Sequence, residues 1–371
     1  MRLSTFNVEN MFDRAKALNL ATWAEGKPIL DDYKRLNDLI QEDKYTDAIK
    51  AELLQIMKRH NGLIANEESK FIRLRRIRGQ FIRRPKNKPA EIAASGRGSW
   101  IGWFELQTEH VKEQAIANTG HVIGLLTADV QCVVEVEDRI VLKQFNENVL
   151  PKVGVNPFSH IMLIDGNDDR GIDVGIMTGQ GYEIVRMLSH VDDTDDEGTI
   201  FSRDCPEYEI RTPLGNTLLL LVNHFKSKGF GDIEKSAHKR LRQAKRVREI
   251  YDARINDGYT NIAVLGDLNE IPDESPMDPL IRDGSTLTDI MVHPSFQGDG
   301  RPGTHGNGTK DGKLDYILMS PALSGNVIKG GIERRGVWGG KNGTLFPHLD
   351  TMKKAEDAAS DHAALWVDLN I

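Results

Sequence analysis

The sequence has little of what stabilises small secreted domains or crosses a membrane. Only two of its 371 residues are cysteines, Cys132 and Cys205, so no disulfide framework can form. Cys132 lies in an apolar run, which indicates a buried thiol. No stretch approaches about 18 uninterrupted apolar residues, so no transmembrane helix is expected. No internal repeat or low-complexity segment is present either, which excludes repeat and fibrous architectures.

The N-terminus has no secretory signal, because Met1 and Arg2 lead directly into a predicted strand. We therefore expect a cytoplasmic location, although removal of a signal would leave the same sequence. The formal net charge of −7 argues against a generally adhesive nucleic-acid binder. It does not argue against an enzyme that acts on phosphates, because metal ions and local basic patches can make the electrostatic potential at a site positive.

One basic patch is evident between Lys70 and Lys88. This stretch contains nine Lys or Arg residues and no acidic residue. Two interpretations remain open at this point. The patch is either the solvated face of an amphipathic strand pair or a contact surface for a polyanionic substrate.

The first third of the chain lacks the alternation of strands and turns that is seen in the rest. Apolar residues recur at helical spacing and predict helices over 31–42 and 46–60. Segments 71–78 and 100–106 alternate or run apolar and predict strands. We interpret residues 14–106 as an insertion within a single domain of 1–371, because the elements before and after it belong together.

The remainder reads as buried strands with few helices. A long amphipathic helix is predicted over 234–256. Segments 174–177 and 183–185 are predicted to pair as a hairpin across a Gly-Gln-Gly turn. This pattern favours two packed sheets flanked by helices rather than a doubly wound sheet.

Two short motifs near the end of the chain carry the chemistry. An apolar run ends in Gly266–Asn269, which presents Asp267 and Asn269 on one face at the end of a strand. A second motif, Ser360–His362, supplies another carboxylate and an imidazole. Hard oxygen ligands beside a proton carrier are what metal-assisted hydrolysis of a phosphate ester requires.

With these motifs identified, the chain resembles the endonuclease/exonuclease/phosphatase superfamily, which has the fold of pancreatic deoxyribonuclease. The motifs that carry the resemblance follow one another in the family's order: Thr5–Asn10, Asp129–Asp138, Arg170–Val174, Asn223–Lys228, Gly266–Asn269, Lys313–Ile317 and Ser360–His362. The resemblance covers about 1–13 and 107–371 and leaves out the insertion. It implies an α/β (α+β) fold, a four-layered sandwich of two packed mixed β-sheets flanked by helices.

The resemblance also implies roles for particular residues. Asn7 and Glu135 would hold one divalent ion, Mg²⁺ or Mn²⁺, and Asp361 would hold the same ion or a second one. Asp267 would act as the general base or would position the attacking water.

Other residues implied by the resemblance would contact the phosphate. Asn269 would bond the phosphate or the water, and His362 would bond phosphate or relay a proton with its ring fixed by Asp315. His224 would stabilise the pentacovalent phosphorus or serve as general acid. Residues that are substrate-binding or alternatively structural are Arg170, Lys226, Ser227 and His305. His190 has no motif support, and we expect it to be structural.

Three functions remain open. The first is a metal-dependent phosphodiesterase, with a nuclease acting on DNA or RNA as its leading form. The second is a phosphatase or a phospholipase C-like hydrolase of a small or lipid phosphoester, which gains weight from the acidic net charge and from the lack of aromatic–basic alternation for stacking bases. The third is a binding protein that keeps the fold without catalysis. The sequence does not indicate an oligomeric state.

Overall fold

The computed structural model of the protein describes residues 1–11, 15–18, 20, 23–107, 113–168, 170–228 and 232–371. Residue 14, the first of the predicted insertion, lies outside these ranges. The described α-helices are α1 (Trp23–Ile40), α2 (Asp47–Arg59), α3 (Leu63–Asn66), α4 (Glu113–Leu126), α5 (Arg139–Gln144), α6 (Ile233–Asn256), α7 (Asp278–Ile281) and α8 (Pro321–Gly325). None of these helices is both long enough and apolar enough to cross a membrane.

The described strands complete the set of regular elements. They are β1 (Arg2–Met11), β2 (Ile72–Arg78), β3 (Ile82–Arg83), β4 (Glu91–Ile92), β5 (Ile101–Leu106), β6 (Val130–Val136), β7 (His160–Leu163), β8 (Asp173–Thr178), β9 (Glu183–Leu188), β10 (Thr194–Asp195), β11 (Gly198–Thr199), β12 (Glu207–Arg211), β13 (Thr217–His224), β14 (Ile262–Asp267), β15 (Thr288–Asp289), β16 (Phe296–Gln297), β17 (Asp315–Met319), β18 (Val327–Glu333) and β19 (Ala364–Leu369).

The chain divides into two compact units, 1–12 together with 111–371, and 13–110. The larger unit contains a seven-stranded sheet in the order β16-β18-β19-β1-β6-β8-β7 and a six-stranded sheet in the order β15-β17-β14-β13-β12-β9. Both sheets mix parallel and antiparallel pairs: β1 is parallel to β6 and antiparallel to β19, while β13 is parallel to β14 and antiparallel to β12.

The two large sheets bury their facing sides against each other. The central core combines fully buried residues of the first sheet, such as Val134 and Ile176, with Leu220 and Leu265 of the second. Burying an aliphatic side chain of this size contributes about 1.5–3 kcal/mol, so this interface is a main source of stability.

Helices cover the outer faces of both sheets. α4 packs on the seven-stranded sheet through Ile123 and its apolar neighbours, and α6 packs on the six-stranded sheet through Ala244, Val247 and Tyr251. The prediction of a four-layered α/β (α+β) sandwich is therefore confirmed. α6 begins at Ile233, one residue before the predicted start, because Asp232 caps it by accepting a hydrogen bond from the Lys235 backbone N–H.

The predicted hairpin of segments 174–177 and 183–185 is wrong. β8 is paired on both sides, with β6 and with β7, so it offers no free edge to β9. β9 instead pairs with β12 at the edge of the other sheet. A short Gly-rich connection therefore carries the chain from one sheet to the other, which alternation of apolar residues alone does not distinguish from a hairpin.

The smaller unit, 13–110, has its own hydrophobic core. Its strands β2 and β5 agree within a residue with the predicted segments, and α2 agrees with the predicted helix over 46–60. The predicted helix over 31–42 starts too late, because α1 begins at Trp23 and includes Pro28. Ile29 and Tyr33 pack against the core and explain the longer helix. That these residues are an insertion within a single domain stays a prediction.

Candidate active site

Five predicted site residues meet where strands end. In the six-stranded sheet, His224 pairs in register with Asp267, and Asp267 pairs with Asp315. In the seven-stranded sheet, β1 carries Asn7 and runs parallel to β6, which carries Glu135. Strand pairing thus aligns three of these residues in one sheet and two in the other, at the same ends of the two packed sheets.

Asn7 links the two sheets at these strand ends. Its side-chain nitrogen Nδ2 donates hydrogen bonds to Glu135 Oε1 and to Asp267 Oδ2, each at 3.2 Å. Its oxygen Oδ1 accepts from the Glu9 backbone N–H at 3.0 Å, which fixes the orientation of the amide. Asn7 therefore positions the two carboxylates in this arrangement, and its contact with a metal ion stays a prediction.

Asp267 is the most constrained carboxylate of the group. Its Oδ1 accepts from the backbone N–H of Asn269 at 2.8 Å, and its Oδ2 accepts from the side chains of Asn269 and Asn7 at 3.1 and 3.2 Å. Burial raises the pKa of Asp267 above its ordinary value, and the nearby His362 only partly opposes this effect. The result is a fixed carboxyl group with a high affinity for a proton.

Gly266 allows β14 to deliver Asp267 to this point. Its φ angle is 123°, and a Cβ atom added to it would lie 2.0 Å from the Asn223 carbonyl oxygen on β13. Real Cβ atoms do not approach a backbone oxygen so closely. Glycine is therefore required here by both backbone conformation and close strand approach.

His362 and Asp315 form a buried ion pair. His362 Nδ1 lies 2.8 Å from Asp315 Oδ2, and Thr304 Oγ1 donates to the same carboxylate oxygen at 2.6 Å. Burial by itself lowers the pKa of His362, but the charges of Asp315 and Asp267 outweigh it and raise that pKa well above its ordinary value. Its Nε2 lies 3.9 Å from Asp267 Oδ2, so a protonated ring nitrogen is directed towards the other catalytic candidates.

His224 has the opposite electrostatic character. Its Nε2 lies 3.7 Å from Asp267 Oδ2 and 3.8 Å from Glu135 Oε1. Burial lowers the pKa of His224 well below its ordinary value, and the positive charge of Arg203 adds to the effect. Within the described part of the chain, its Nδ1 has no hydrogen-bond partner. His224 is therefore a neutral imidazole with an unused polar atom at the site.

Two more carboxylates, those of Glu9 and Asp361, belong to the same group as Glu135. Partial desolvation raises the pKa of Glu9 above its ordinary value although the residue remains exposed, and the charges of Asp361 and Glu135 raise it further. Asp361 is half exposed. Burial alone would raise its pKa, but its hydrogen bond with His305 and the charge of His362 lower it. Glu9 was not predicted as a site residue. Its only sequence signal is its place two residues after Asn7.

The backbone is strained at this group. Glu9, Glu135 and Asn269 have φ angles of 48°, 69° and 52°, in the left-handed region that non-glycine residues rarely adopt. Each sits where strand register shifts or a strand has just ended. Such strain costs about 1–3 kcal/mol per residue and is concentrated at functional sites.

Asp168 holds two arginine side chains, those of Arg170 and Arg203. This carboxylate binds Arg170 through two hydrogen bonds of 3.0 Å, and its Oδ2 lies 3.0 Å from Nε of the buried Arg203. The positive charges of Arg203 and Arg170 both lower the pKa of His224. Arg203 was missed because its surrounding sequence matches no motif. Its burial is visible only in the fold.

The loop after β13 carries Lys226 and Ser227. The Lys226 backbone N–H donates to Gln243 Oε1 at 2.9 Å, and its carbonyl oxygen accepts from Arg240 at 3.0 Å, so α6 fixes this loop. Burial lowers the pKa of the Lys226 ammonium, and the charge of Lys226 in turn lowers the pKa of His224. Ser227 is half-buried in the same segment. Contact of either side chain with a substrate stays a prediction.

His305 lies directly beside the terminal motif. Its Nε2 lies 3.2 Å from Asp361 Oδ2, and its ring centroid lies 4.7 Å from that of His362. Two groups among the described residues have ligand atoms within 4.8 Å of one another, as a metal site requires. They are His305 with Asp361 and His362, and Asp267 with Asp315 and His362.

His190 lies in a separate buried ion network. Its Nδ1 and Nε2 lie 2.9 Å from Asp193 Oδ2 and Glu207 Oε1, and Arg254 binds Glu207 through two hydrogen bonds of 2.6 Å. Burial alone would raise the pKa of Glu207, but the hydrogen bonds from His190 and Arg254 outweigh it and lower the pKa to about 2. The network joins α6 to β12, which accords with a structural role.

This network predicts acid sensitivity. Because its folded-state pKa is depressed, Glu207 stabilises the fold above its ordinary pKa of 4.5, and this stabilisation is lost as the pH falls towards 2. Urea unfolding should show that Glu207 contributes about 2 kcal/mol less at about pH 3 than at neutral pH. Glu207→Gln should flatten the pH dependence. Glu183→Gln, which removes an exposed ion pair with Arg211, should not. Equal pH slopes for wild type and Glu207→Gln would contradict this account.

Comparisons with known proteins agree with this fold. The model of the Endonuclease/Exonuclease/phosphatase family matches residues 84–288, more than half of the chain. Comparison with curated proteins gave no match. Among solved structures, a mannosyl-6-phosphatase of Bacteroides thetaiotaomicron has a TM-score of 0.51 at 16% identity, covering 70% of this chain and 91% of that one.

Two further solved structures are similar. A conserved protein of unknown function from Enterococcus faecalis has a TM-score of 0.49 at 16% identity, with 69% of this chain and 90% of that one covered. Truncated TDP2 from Caenorhabditis elegans has a TM-score of 0.47 at 15% identity, with 68% and 88% covered. At these identities the likeness concerns the fold alone.

Proposed function

The chain belongs to the endonuclease/exonuclease/phosphatase family, whose members hydrolyse phosphoester bonds, and from this premise we propose that it is a divalent-metal-dependent phosphodiesterase, with a nuclease as the leading form. The observation that carries the proposal is the convergence of Asn7, Glu135, His224, Asp267 and His362. Hydrogen bonds of 3.2 Å link Asn7 to two carboxylates, and both imidazoles lie within 4 Å of Asp267.

Asp267 is the best-supported general base. A base must be fixed in position and must have a raised pKa to compete for the proton of a water molecule. Asp267 meets both conditions through its bonds with Asn269 and Asn7 and through its burial. In the proposed step a water oxygen attacks phosphorus in line with the leaving alkoxide, its proton passes to Asp267, and the ester P–O bond breaks.

The two histidines have different parts in this proposal. His362 is a cation held by Asp315, so it would donate a hydrogen bond or a proton to the phosphate and stabilise the charge that develops there. His224 is neutral, which suits a hydrogen-bonding role at the phosphorus and makes it a poor general acid. Asn269 holds Asp267 from two directions and would orient the water.

The carboxylates around Glu135 fit a hard divalent ion. Desolvation raises the pKa of Glu9, and the charges of Asp361 and Glu135 raise it further, so these two carboxylates lie close enough to Glu9 to interact with it. Glu135, Asp361 and Asn7 would hold Mg²⁺ or Mn²⁺, and Glu9 is an additional candidate. When bound, the ion would offset the negative charge of a phosphate oxygen.

Basic side chains support binding of the remaining phosphate oxygens. Arg170 and Lys226 would contact phosphate, with Arg170 held in place by Asp168. The buried Arg203 would act through Asp168 as a positioning residue. A planar guanidinium suits two-point recognition of phosphate.

Metal removal tests this function. The protein should hydrolyse bis-p-nitrophenyl phosphate and single- or double-stranded DNA with Mg²⁺ or Mn²⁺, and EDTA should reduce the rate by at least about 100-fold. Readdition of Mn²⁺ should restore it, which separates metal dependence from unfolding. Absence of metal-dependent turnover of any of these substrates would refute the diesterase proposal.

A second candidate is a phosphatase or phospholipase C-like hydrolase. The observation that favours it is charge, because outside residues 13–110 the chain has 29 Lys or Arg against 41 Asp or Glu. A polyanion is repelled by such a surface more than a small or lipid phosphoester is. Turnover of p-nitrophenyl phosphate or sphingomyelin well above that of DNA would select this alternative.

A further inference from the structure

One face of the smaller unit combines arginine with exposed apolar side chains. In the antiparallel pair of β2 and β5, Arg75 lies opposite Trp103, and Arg78 lies opposite Ile101. Residues directly opposite each other point to the same side of a sheet. We call this side the β2–β5 face, and it consists of Arg73, Arg75, Arg78, Ile101, Trp103 and Glu105.

The other side of the same strands is the core side. Leu74 and Phe104, which lie opposite each other, are buried in the hydrophobic core of the unit. On the β2–β5 face, by contrast, Trp103 is 42% exposed and Ile101 is 48% exposed. Ile77, at the irregularity between the paired residues, is 68% exposed. Large apolar groups gathered on a solvent face indicate a binding surface.

The charge of the unit is opposite to that of the rest of the chain. Residues 13–110 contain 19 Lys or Arg against 14 Asp or Glu, although the whole chain is acidic. The excess is concentrated between Lys70 and Lys88. All four basic residues of β2 are arginines, whose planar guanidinium binds phosphate in two-point fashion and stacks on rings.

Glu105 is the acidic residue on this face. It accepts a hydrogen bond from Arg75 at 2.6 Å and lies 3.8 Å from Arg73. Exposed ion pairs of this kind contribute little, so a phosphate can replace the carboxylate. Arg78 has no ion-pair partner among the residues that the structure describes. The face therefore offers guanidinium groups that are free or weakly held.

We propose that the β2–β5 face binds single-stranded nucleic acid. The ring of Trp103 would stack on a base, while Arg75 and Arg78 would contact the flanking phosphates. A ring between arginines on a strand pair suits unpaired bases, whereas surfaces that bind anionic membranes are usually amphipathic helices. This binding goes beyond the proposed hydrolysis and requires no metal ion.

Fluorescence anisotropy tests the proposal with the full chain in EDTA, so hydrolysis does not interfere. The probe is a labelled oligothymidylate of about 12 nucleotides, titrated between about 50 and 200 mM salt. Trp103→Ala should weaken binding about tenfold without changing its salt dependence. Arg75→Ala with Arg78→Ala should reduce the logarithmic salt slope by about 1.4, as expected for two lost phosphate contacts on a single strand.

Two further variants and one control make the assignment specific. Trp103→Phe keeps a ring and should bind within about threefold of wild type, and Glu105→Gln should bind tighter by about threefold, because it releases Arg75. The control removes two exposed lysines of the same unit, Lys44→Ala with Lys58→Ala, and should leave affinity within about twofold and the salt slope unchanged. Thermal melts should match wild type for all of them.

Several outcomes would overturn the proposal. They are no binding at the lowest salt, equal loss in the lysine control, unchanged affinity in Trp103→Ala, or binding to phosphatidylserine vesicles in preference to the oligonucleotide. Tighter binding of duplex than of single strands would also overturn it, because a paired base cannot stack on Trp103. Since EDTA is present throughout, none of these results bears on the metal-dependent hydrolysis tested above.

Discussion

Asp267→Asn is expected to lower kcat by about 10³-fold while the protein remains folded. Asparagine preserves the shape of the side chain but cannot accept a proton from water. Three hydrogen bonds from Asn7 and Asn269 are directed at the two carboxylate oxygens, so at least one of these bonds also loses its acceptor. Steady-state rates on bis-p-nitrophenyl phosphate with saturating Mn²⁺ measure the effect.

Two controls separate lost chemistry from lost structure. Asp368 lies on β19 and forms an ion pair with Arg2, away from the group around Asp267. Asp368→Asn should therefore change kcat by less than about twofold. Calorimetric titration with Mn²⁺ should still detect binding in Asp267→Asn, because Glu135 and Asp361 are retained. Normal turnover by Asp267→Asn would mean that the chemistry lies elsewhere.

Gly266→Ala should destabilise the protein severely, although it adds only one methyl group. The added Cβ would lie 2.0 Å from the Asn223 carbonyl oxygen, and the φ angle of 123° is unfavourable for alanine. Relief of the clash requires β13 and β14 to separate, which should cost at least about 3 kcal/mol. Urea unfolding measures the loss, and activity should fall as well, because Asp267 is the next residue.

Gly258→Ala is the matched control. Gly258 also has a positive φ, of 94°, but a Cβ added there would meet no atom within 4 Å. Gly258→Ala should destabilise the protein by only about 1 kcal/mol, which is the cost of placing alanine at a positive φ without a steric clash. Similar costs for Gly258→Ala and Gly266→Ala would contradict the role assigned to close strand approach.

Sequence reasoning predicted the parts of the protein that local patterns encode. Apolar runs indicate buried strands, so β13, β14 and the polar residues at their ends could be identified. The family resemblance is confirmed, as is the sandwich of two sheets. Strand-end position then explains why residues as distant as Asn7 and Asp267 come within hydrogen-bond distance.

Other features depend on three-dimensional context and could not be predicted. β9 looks like the second arm of a hairpin, yet β8 has no free edge. Glu9 joins the carboxylate group because the backbone of β1 turns to a positive φ there. Arg203 is recognised only by its burial beside Asp168. The pairing of Trp103 with Arg75 follows from strand register, whereas the linear sequence lacks aromatic–basic alternation.

The central place of β1 in its sheet has a consequence for biosynthesis. β1 pairs with β6 on one side and with β19 on the other, and the Ser360 hydroxyl donates to the Asn7 carbonyl oxygen across 353 positions of sequence. Closing so long a loop is slow and must wait for the distant partner. β19 must therefore be synthesised before β1 has both of its neighbours in the sheet, so this part of the fold is expected to form late.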